Sequence, residues 1–278
     1  MGLALIYAIA AAILLGSSDF FAARAARSTP SVTVTRTVVG VSALLSPVLL
    51  LAVDFRWIAR DVLIGMASGV AMTSGLLLLY RGYAVARMGV VAPMSSVLLA
   101  AVPVVVDIAR GDRPSALGAA GMGVGVAALV LTSYHPGGTG SVSLGAILGI
   151  GSGVVFGIAF TLMGEVSEAA GLLPVVSQRL TGFVMLAIAF PFAAVPFAAG
   201  GASRKPALVA GGFAVFAIAA LQLAFQKGAS GPVSVAASQF ATVAVVLSVT
   251  FNRERMRWWQ AAGIAATAAG VSMMALGT

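Results

Sequence analysis

Long runs of Ala, Val, Leu, Ile, Gly and Phe alternate along this chain with short polar connections. The apolar runs fall at 3–23, 33–53, 62–80, 89–107, 115–133, 144–164, 174–198, 206–226, 232–251 and 258–276. A helix needs ~20 residues to cross ~30 Å of hydrocarbon, so the pattern predicts ten transmembrane helices. The short strands of a transmembrane barrel, alternating residue by residue, are not in the sequence. The connections carry Arg, Asp, Pro and Gly, the usual punctuation between spans. The longest, SYHPGGTGSVS at 133–143, holds the single histidine, His135, and falls near the middle of the chain.

That position prompts a search for a repeat. At a shift of 142, ARGDRPSALGAAG (109–121) lies over FNRERMRWWQAAG (251–263), pairing Asp112 with Glu254, Arg113 with Arg255 and Gly121 with Gly263. At a shift of 141, Ala4, Ala8, Ala12 and Gly16 fall on Gly145, Gly149, Gly153 and Gly157. Stripes of small residues on one helix face let backbones approach closely in lipid. At a shift of 143, Arg36 falls on Arg179. The expected organisation is a five-helix repeat over 1–134, a linker at 135–143 and a second five-helix repeat over 144–278. Five is odd, so the second repeat enters the membrane from the opposite side. The expected fold is therefore an all-α polytopic membrane protein of two inverted five-helix repeats, a plan common among secondary transporters. Trp57, Trp258 and Trp259 read as interfacial anchors.

Composition sharpens the picture. The chain is 60% hydrophobic and 9% charged, far below the charge a water-facing globule carries. The net charge of +8 is spread in ones, twos and threes between apolar runs. Nucleic-acid binding would concentrate it on one soluble face, so a nucleic-acid partner is excluded. The absence of cysteine rules out disulfides and thiolate metal sites. There is no Gly-x-x-x-x-Gly-Lys-Ser/Thr loop for ATP phosphates, and GIGSG (149–153) lacks the third glycine of a dinucleotide loop. No cofactor is expected. The first run begins at residue 3 without a basic leader and reads as a retained helix.

Three stretches together resemble the EamA-type branch of the drug/metabolite transporter superfamily. They are LLGSSDF (14–20), YRGYAVARMGVVAPMSSVLLAAVP (80–103) and NRERMRWWQAAGIAATAAGV (252–271). The resemblance covers essentially the whole chain and implies a permease that exports small polar metabolites, often amino acids, or drug-like cations by alternating access. The family includes proton-coupled and facilitative members. The chain departs from the pattern at Leu15, where Trp often precedes the glycine, at Asp112, where Glu is usual, and at Val245, where Pro103 has no counterpart.

Asp19 is the sharpest candidate for a site, because an ionisable group inside a span faces a cavity or a partner. It can hold a cation or a proton, or pair with Arg24 at the interface. Ser17, Ser18, Thr73, Ser74, Tyr80, Ser95, Ser96, Gln222, Ser238 and Gln239 offer hydroxyls and amides to a substrate, or bond helices together. Phe156 and Phe160 form an aromatic wall or fill the core. Arg36 and Arg179 bind a carboxylate or snorkel to the interface. Pro93 frees a carbonyl beside a cavity. Glu254 and Arg255 read as a structural lock or gate, and Glu165 and Glu168 as solvated loop charges. The expected function is export of a small polar metabolite across the plasma membrane, with membrane lipid as surroundings and either a monomer or a homodimer as the assembly. Cation export, lipid handling and non-transporting assembly are the rivals. An enzyme is not expected, since no His, Cys or carboxylate cluster falls at membrane depth.

Loops after odd-numbered spans carry Lys or Arg at 24, 27, 81, 87, 204, 205, 253, 255 and 257, and loops after even-numbered spans at 56, 60, 110, 113 and 227. Positive charge favours the cytoplasm, which places the termini outside, whereas the family resemblance implies cytoplasmic termini.

Overall fold

The computed structural model describes residues 2–111, 115–133, 140–189, 195–228, 230–252 and 258–276. Among them the chain forms eleven α-helices and no strand. They are α1 (Gly2–Ala26), α2 (Ser31–Leu45), α3 (Ala59–Val85), α4 (Met88–Ala109), α5 (Ala116–Ser133), α6 (Gly140–Gly164), α7 (Leu173–Ala189), α8 (Arg204–Lys227), α9 (Ser230–Ser238), α10 (Phe240–Asn252) and α11 (Trp258–Leu276). Seven segments are long and apolar enough to cross a membrane, and Ala116–Gly125, Leu173–Ala189 and Ala261–Gly270 are shorter apolar helices. The chain is a multi-pass membrane protein.

The helices depart from the apolar runs where local chemistry interrupts the ladder. The run at 33–53 becomes α2 plus a 3-10 turn, Ser46–Leu51, with Pro47 at its start. Proline has no N–H to give. The run at 232–251 breaks at Gln239, whose N–H bonds the Ala236 carbonyl at 3.3 Å in a tightened turn, while Ser238 Oγ donates to Val235 O at 2.8 Å. Such side-chain bonds compete with the helix. In the run at 174–198, α7 is described from Leu173 to Ala189, and α6 already includes Gly140, inside the expected linker.

Packing inverts the order of a soluble protein. Leu3, Ile6, Ile9 and Ile13 on α1, and Ile147, Ile150, Val154 and Ile158 on α6, are exposed at three- and four-residue spacing. Each series makes one outward apolar stripe. Inside lie small residues. Ala4, Ala8 and Ala12 are buried, and a Cβ built on Gly16 would stand 2.6 Å from the Phe240 carbonyl oxygen of α10. Gly149, Gly153 and Gly157 press likewise on Val91, Ser95 and Val102 of α4. Both stripes therefore serve close helix approach. The pairing is reciprocal: α1 packs on α8 as α6 packs on α3, α2 on α8 as α7 on α3, and α1 on α9 and α10 as α6 on α4, with α5 against α11.

The two ends of the bundle differ. At one end Glu165, just after α6, is held by Arg110 of the α4 terminus and by Arg60 Nη2 of α3 at 3.5 Å. The hydrogen bond to Glu165 and its charge raise the Arg110 pKa further above its usual value. Lys227 meets Glu168 at 3.1 Å, and Gln226 Nε2 donates to Gly171 O at 2.9 Å. Glu165 and Glu168 keep solvent-accessible side chains in the loop after α6, as read from the sequence, and each also meets a basic partner. Folding brings the ends of α3, α4 and α8 onto one loop, which sequence separation concealed. Below them Asp61, 1% exposed, accepts from Ser167 N–H at 3.2 Å and from Ser167 Oγ. Exposed pairs contribute ~0–1 kcal/mol, whereas orphaning a buried hydrogen-bonded group costs ~1–3 kcal/mol. Asp61→Ala should therefore lower the melting temperature by about 3–10 °C and Arg110→Gln by little, measured by thermal unfolding in detergent.

At the other end Ser28 Oγ and Ser203 Oγ share a 2.8 Å hydrogen bond between α1 and α8. Among the described residues Asp54, Asp61, Asp107, Glu165 and Glu168 all lie at the clamped end, whereas Arg24, Arg27, Arg81, Arg87, Arg204 and Lys205 lie at this one. Trp258 is 76% exposed and sits edge-on to Trp259, with centroids 5.8 Å apart, in keeping with an interfacial position.

Candidate functional site

Asp19 is 5% exposed and lies two turns from the end of α1. The Tyr83 hydroxyl on α3 donates to its Oδ2 at 3.1 Å. Tyr80, one helical turn earlier, stacks on Tyr83 at 6.2 Å between centroids. Its own hydroxyl is fully buried, with Ser18 beside it and Asp19 and Arg179 within electrostatic reach. Arg179 is held by its neighbour: Gln178 Oε1 accepts from Arg179 Nη2 at 2.7 Å and Nε at 3.2 Å. Gln178 Nε2 in turn donates to Ser68 Oγ at 2.6 Å, and Ser68 Oγ points to Ala159 O at 3.4 Å. This relay ties α7 through α3 to α6.

Asp19 opens onto a cavity of about 30 Å³ whose other walls are Leu15 of α1, Met72, Leu76 and Leu79 of α3, Leu99 of α4, Phe156 and Phe160 of α6, Ile218 of α8 and Phe240 of α10. That volume holds one or two waters. Its walls come from both sequence halves, and Asp19 is the single ionisable residue among them. One hydrogen bond from a tyrosine does not compensate an ionised carboxylate among apolar walls. The charge there calls for a proton or a bound cation.

The other candidates divide clearly. Phe156 and Phe160 line the cavity, and Phe160 meets Phe225 edge-on at 5.6 Å. Most polar candidates are committed to protein. Ser18 Oγ donates to Ala210 O at 2.9 Å and Ser17 Oγ to Ile13 O at 2.8 Å. Ser95 Oγ accepts from Ser152 at 2.9 Å, while Ser96 bonds Pro93 O within the proline-bearing turn of α4. Gln222 Nε2 reaches Met163 O at 3.3 Å. Gln239 Oε1 accepts from Thr242 at 3.3 Å. Thr73 packs on Gly182 of α7, and Ser74 is half-buried on α3. Of the alternatives for Asp19, the partner observed is Tyr83 rather than Arg24, and Arg36 lies over the Phe197 ring at 4.6 Å, far in role from its matched Arg179. Asp112, Arg113, His135, Glu254 and Arg255 lie outside the described residues.

Tyr83, Gln178, Ser68 and Phe240 were absent from the sequence candidates. Tyr83 was legible in principle, since it follows Tyr80 by three and shares its helix face. Removing its hydroxyl in Tyr83→Phe should weaken any function of Asp19 about tenfold without unfolding the bundle, read from ligand affinity and thermal stability together.

No family model matches the chain, and no curated protein does. Among solved structures, one described as "Crystal structure of protein" superposes with a TM-score of 0.72 at 17% identity, over 98% of this chain and 96% of its own. The two share a fold along nearly their whole lengths.

Proposed function

We propose that this chain is a secondary transporter of small organic cations, in which Asp19 holds either a proton or the substrate. The observation that carries the reading is a single buried carboxylate facing a cavity walled by both halves of the chain. An intramembrane acid in such a place marks a substrate or proton path. One carboxylate cannot serve a proton and a cation at once, so occupancy by one releases the other. The amino-acid reading is weakened because Ser18, Ser95 and Gln222, the groups suited to a zwitterion, are bonded to protein. Export across the plasma membrane rests on the EamA-type resemblance.

The reciprocal helix pairing supports two inverted five-helix repeats and ten crossings. Alternating access would then rock one half against the other around Asp19. The Arg60–Glu165–Arg110 group would be the gate of one end, weak enough to break on each cycle. The test is efflux of a preloaded labelled cation from cells expressing the chain or its Asp19→Asn variant. Efflux above vector controls that vanishes in the variant supports the reading; identical efflux in both removes it.

The charge segregation favours the basic end in the cytoplasm, against the orientation that the resemblance implies. The cysteine-free chain makes this simple to check. A cysteine at Gly200, where added side-chain atoms meet open space, should react with an impermeant maleimide only after the cells are opened. One at the exposed Ala52, near the clamped end, should react in intact cells.

A further inference from the structure

A second cavity, of about 420 Å³, opens at the basic end between the end of α1 and the start of α8. Arg24 and Lys205 stand at its rim, and the bonded pair Ser28 and Ser203 lies beside them. Phe21 and Val209 complete the part that matters here. Phe21 precedes Arg24 by three residues and Val209 follows Lys205 by four, so each apolar residue lies about one helical turn deeper in the membrane than its cation. Phe21 is stacked on Phe213 with an interplanar angle of 7°, which fixes that apolar wall.

The cavity thus has two cations and two hydroxyls at the level of the headgroups and an aromatic and an aliphatic face beneath them. None of its eight lining residues is acidic; Asp19, five residues before Arg24 on α1, lines the other cavity, and Asp54, Asp61, Asp107, Glu165 and Glu168 are at the far end of the bundle. Among the described residues no carboxylate lines this cavity. A free phosphate would use the cations and leave Phe21 and Val209 without purpose, whereas a phospholipid uses both levels. We propose that this cavity is a binding site for the headgroup phosphate of an anionic phospholipid, held by Arg24 and Lys205 with the upper acyl chain along Phe21 and Val209. The proposal depends on membrane placement alone and is independent of the transport reading.

The experiment uses the purified full chain in a non-ionic detergent, titrated with dioleoyl phosphatidylglycerol or dioleoyl phosphatidylcholine, with bound lipid counted by native mass spectrometry. The wild type should retain phosphatidylglycerol in preference to phosphatidylcholine. R24Q/K205Q should retain it about tenfold less. R81Q/R87Q removes two charges from the same end but outside the cavity and should behave as wild type. Inorganic phosphate at millimolar concentration should not displace the lipid. Equal retention of the two lipids, an unaffected R24Q/K205Q, or an equal loss in R81Q/R87Q would overturn the site. Displacement by inorganic phosphate would overturn the lipid in favour of a free anion. Should R24Q/K205Q not elute as the wild type does, R24Q and K205Q singly carry the same comparison.

Discussion

Asp19→Asn is expected to reduce cation transport at least ~30-fold and yet to leave the protein as stable as before, or more so. The two effects have separate causes. Truncating one partner of a buried charge pair costs ~2–5 kcal/mol of binding, and 1.4 kcal/mol is a factor of ten. The Asp19 carboxylate faces apolar walls with Tyr83 as its neutral donor, so no structural cation is orphaned by the change. Asparagine keeps an oxygen for the Tyr83 hydroxyl and removes the cost of confining a charge. Sites that sacrifice stability to function behave in this way. A structural aspartate would show the reverse, with lower melting temperature and transport lost only in proportion to folded protein. Flux per folded molecule and thermal unfolding, measured on one preparation, separate the cases.

Gly16→Ala should lower the melting temperature by about 5–10 °C, while Gly212→Ala should not lower it at all. At Gly16 the added carbon would stand 2.6 Å from both the Phe240 carbonyl oxygen and the Val243 Cβ of α10. Neither is the tip of a flexible side chain, so the helices must separate, and overpacking of this kind costs ~1–3 kcal/mol. In a chain of this size that is several degrees. At Gly212, on α8, nothing lies within 4 Å, and a helical Gly→Ala change at an open position is neutral or stabilising. Gly16 also precedes Asp19 by three residues, so α1 pushed off α10 carries Asp19 away from Phe240 across the cavity. Gly16→Ala is therefore expected to impair transport in molecules that remain folded. Thermal unfolding of the two variants side by side checks the packing claim.

Much of this architecture was legible in the sequence, because lipid imposes simple rules. Length and apolarity marked the seven segments long enough to span, and the small stripes at Ala4–Gly16 and Gly145–Gly157 marked the faces where helices touch. Asp19 stood out because a charge inside a span needs a reason. The broken ninth run did not stand out, since the break at Gln239 comes from one side-chain bond and one tightened turn. Nor did periodicity reveal which hydroxyls face the cavity. Ser17 and Ser18 are adjacent, yet one bonds its own helix and the other α8. The clamp was hidden for another reason. Arg60, Arg110 and Glu165 lie far apart in the chain and meet only when the start of α3 and the ends of α4 and α6 come together.

The most direct test of the central claim is flux through the purified chain. Proteoliposomes acidic inside and alkaline outside would be given ethidium, methyl viologen or tetraphenylphosphonium, with leucine and glutamate as zwitterionic and anionic controls. The account predicts that at least one cation accumulates above protein-free vesicles, that dissipating the proton gradient abolishes this, and that neither amino acid accumulates. Cation uptake no faster than in protein-free vesicles, or accumulation of the amino acids alone, would contradict it.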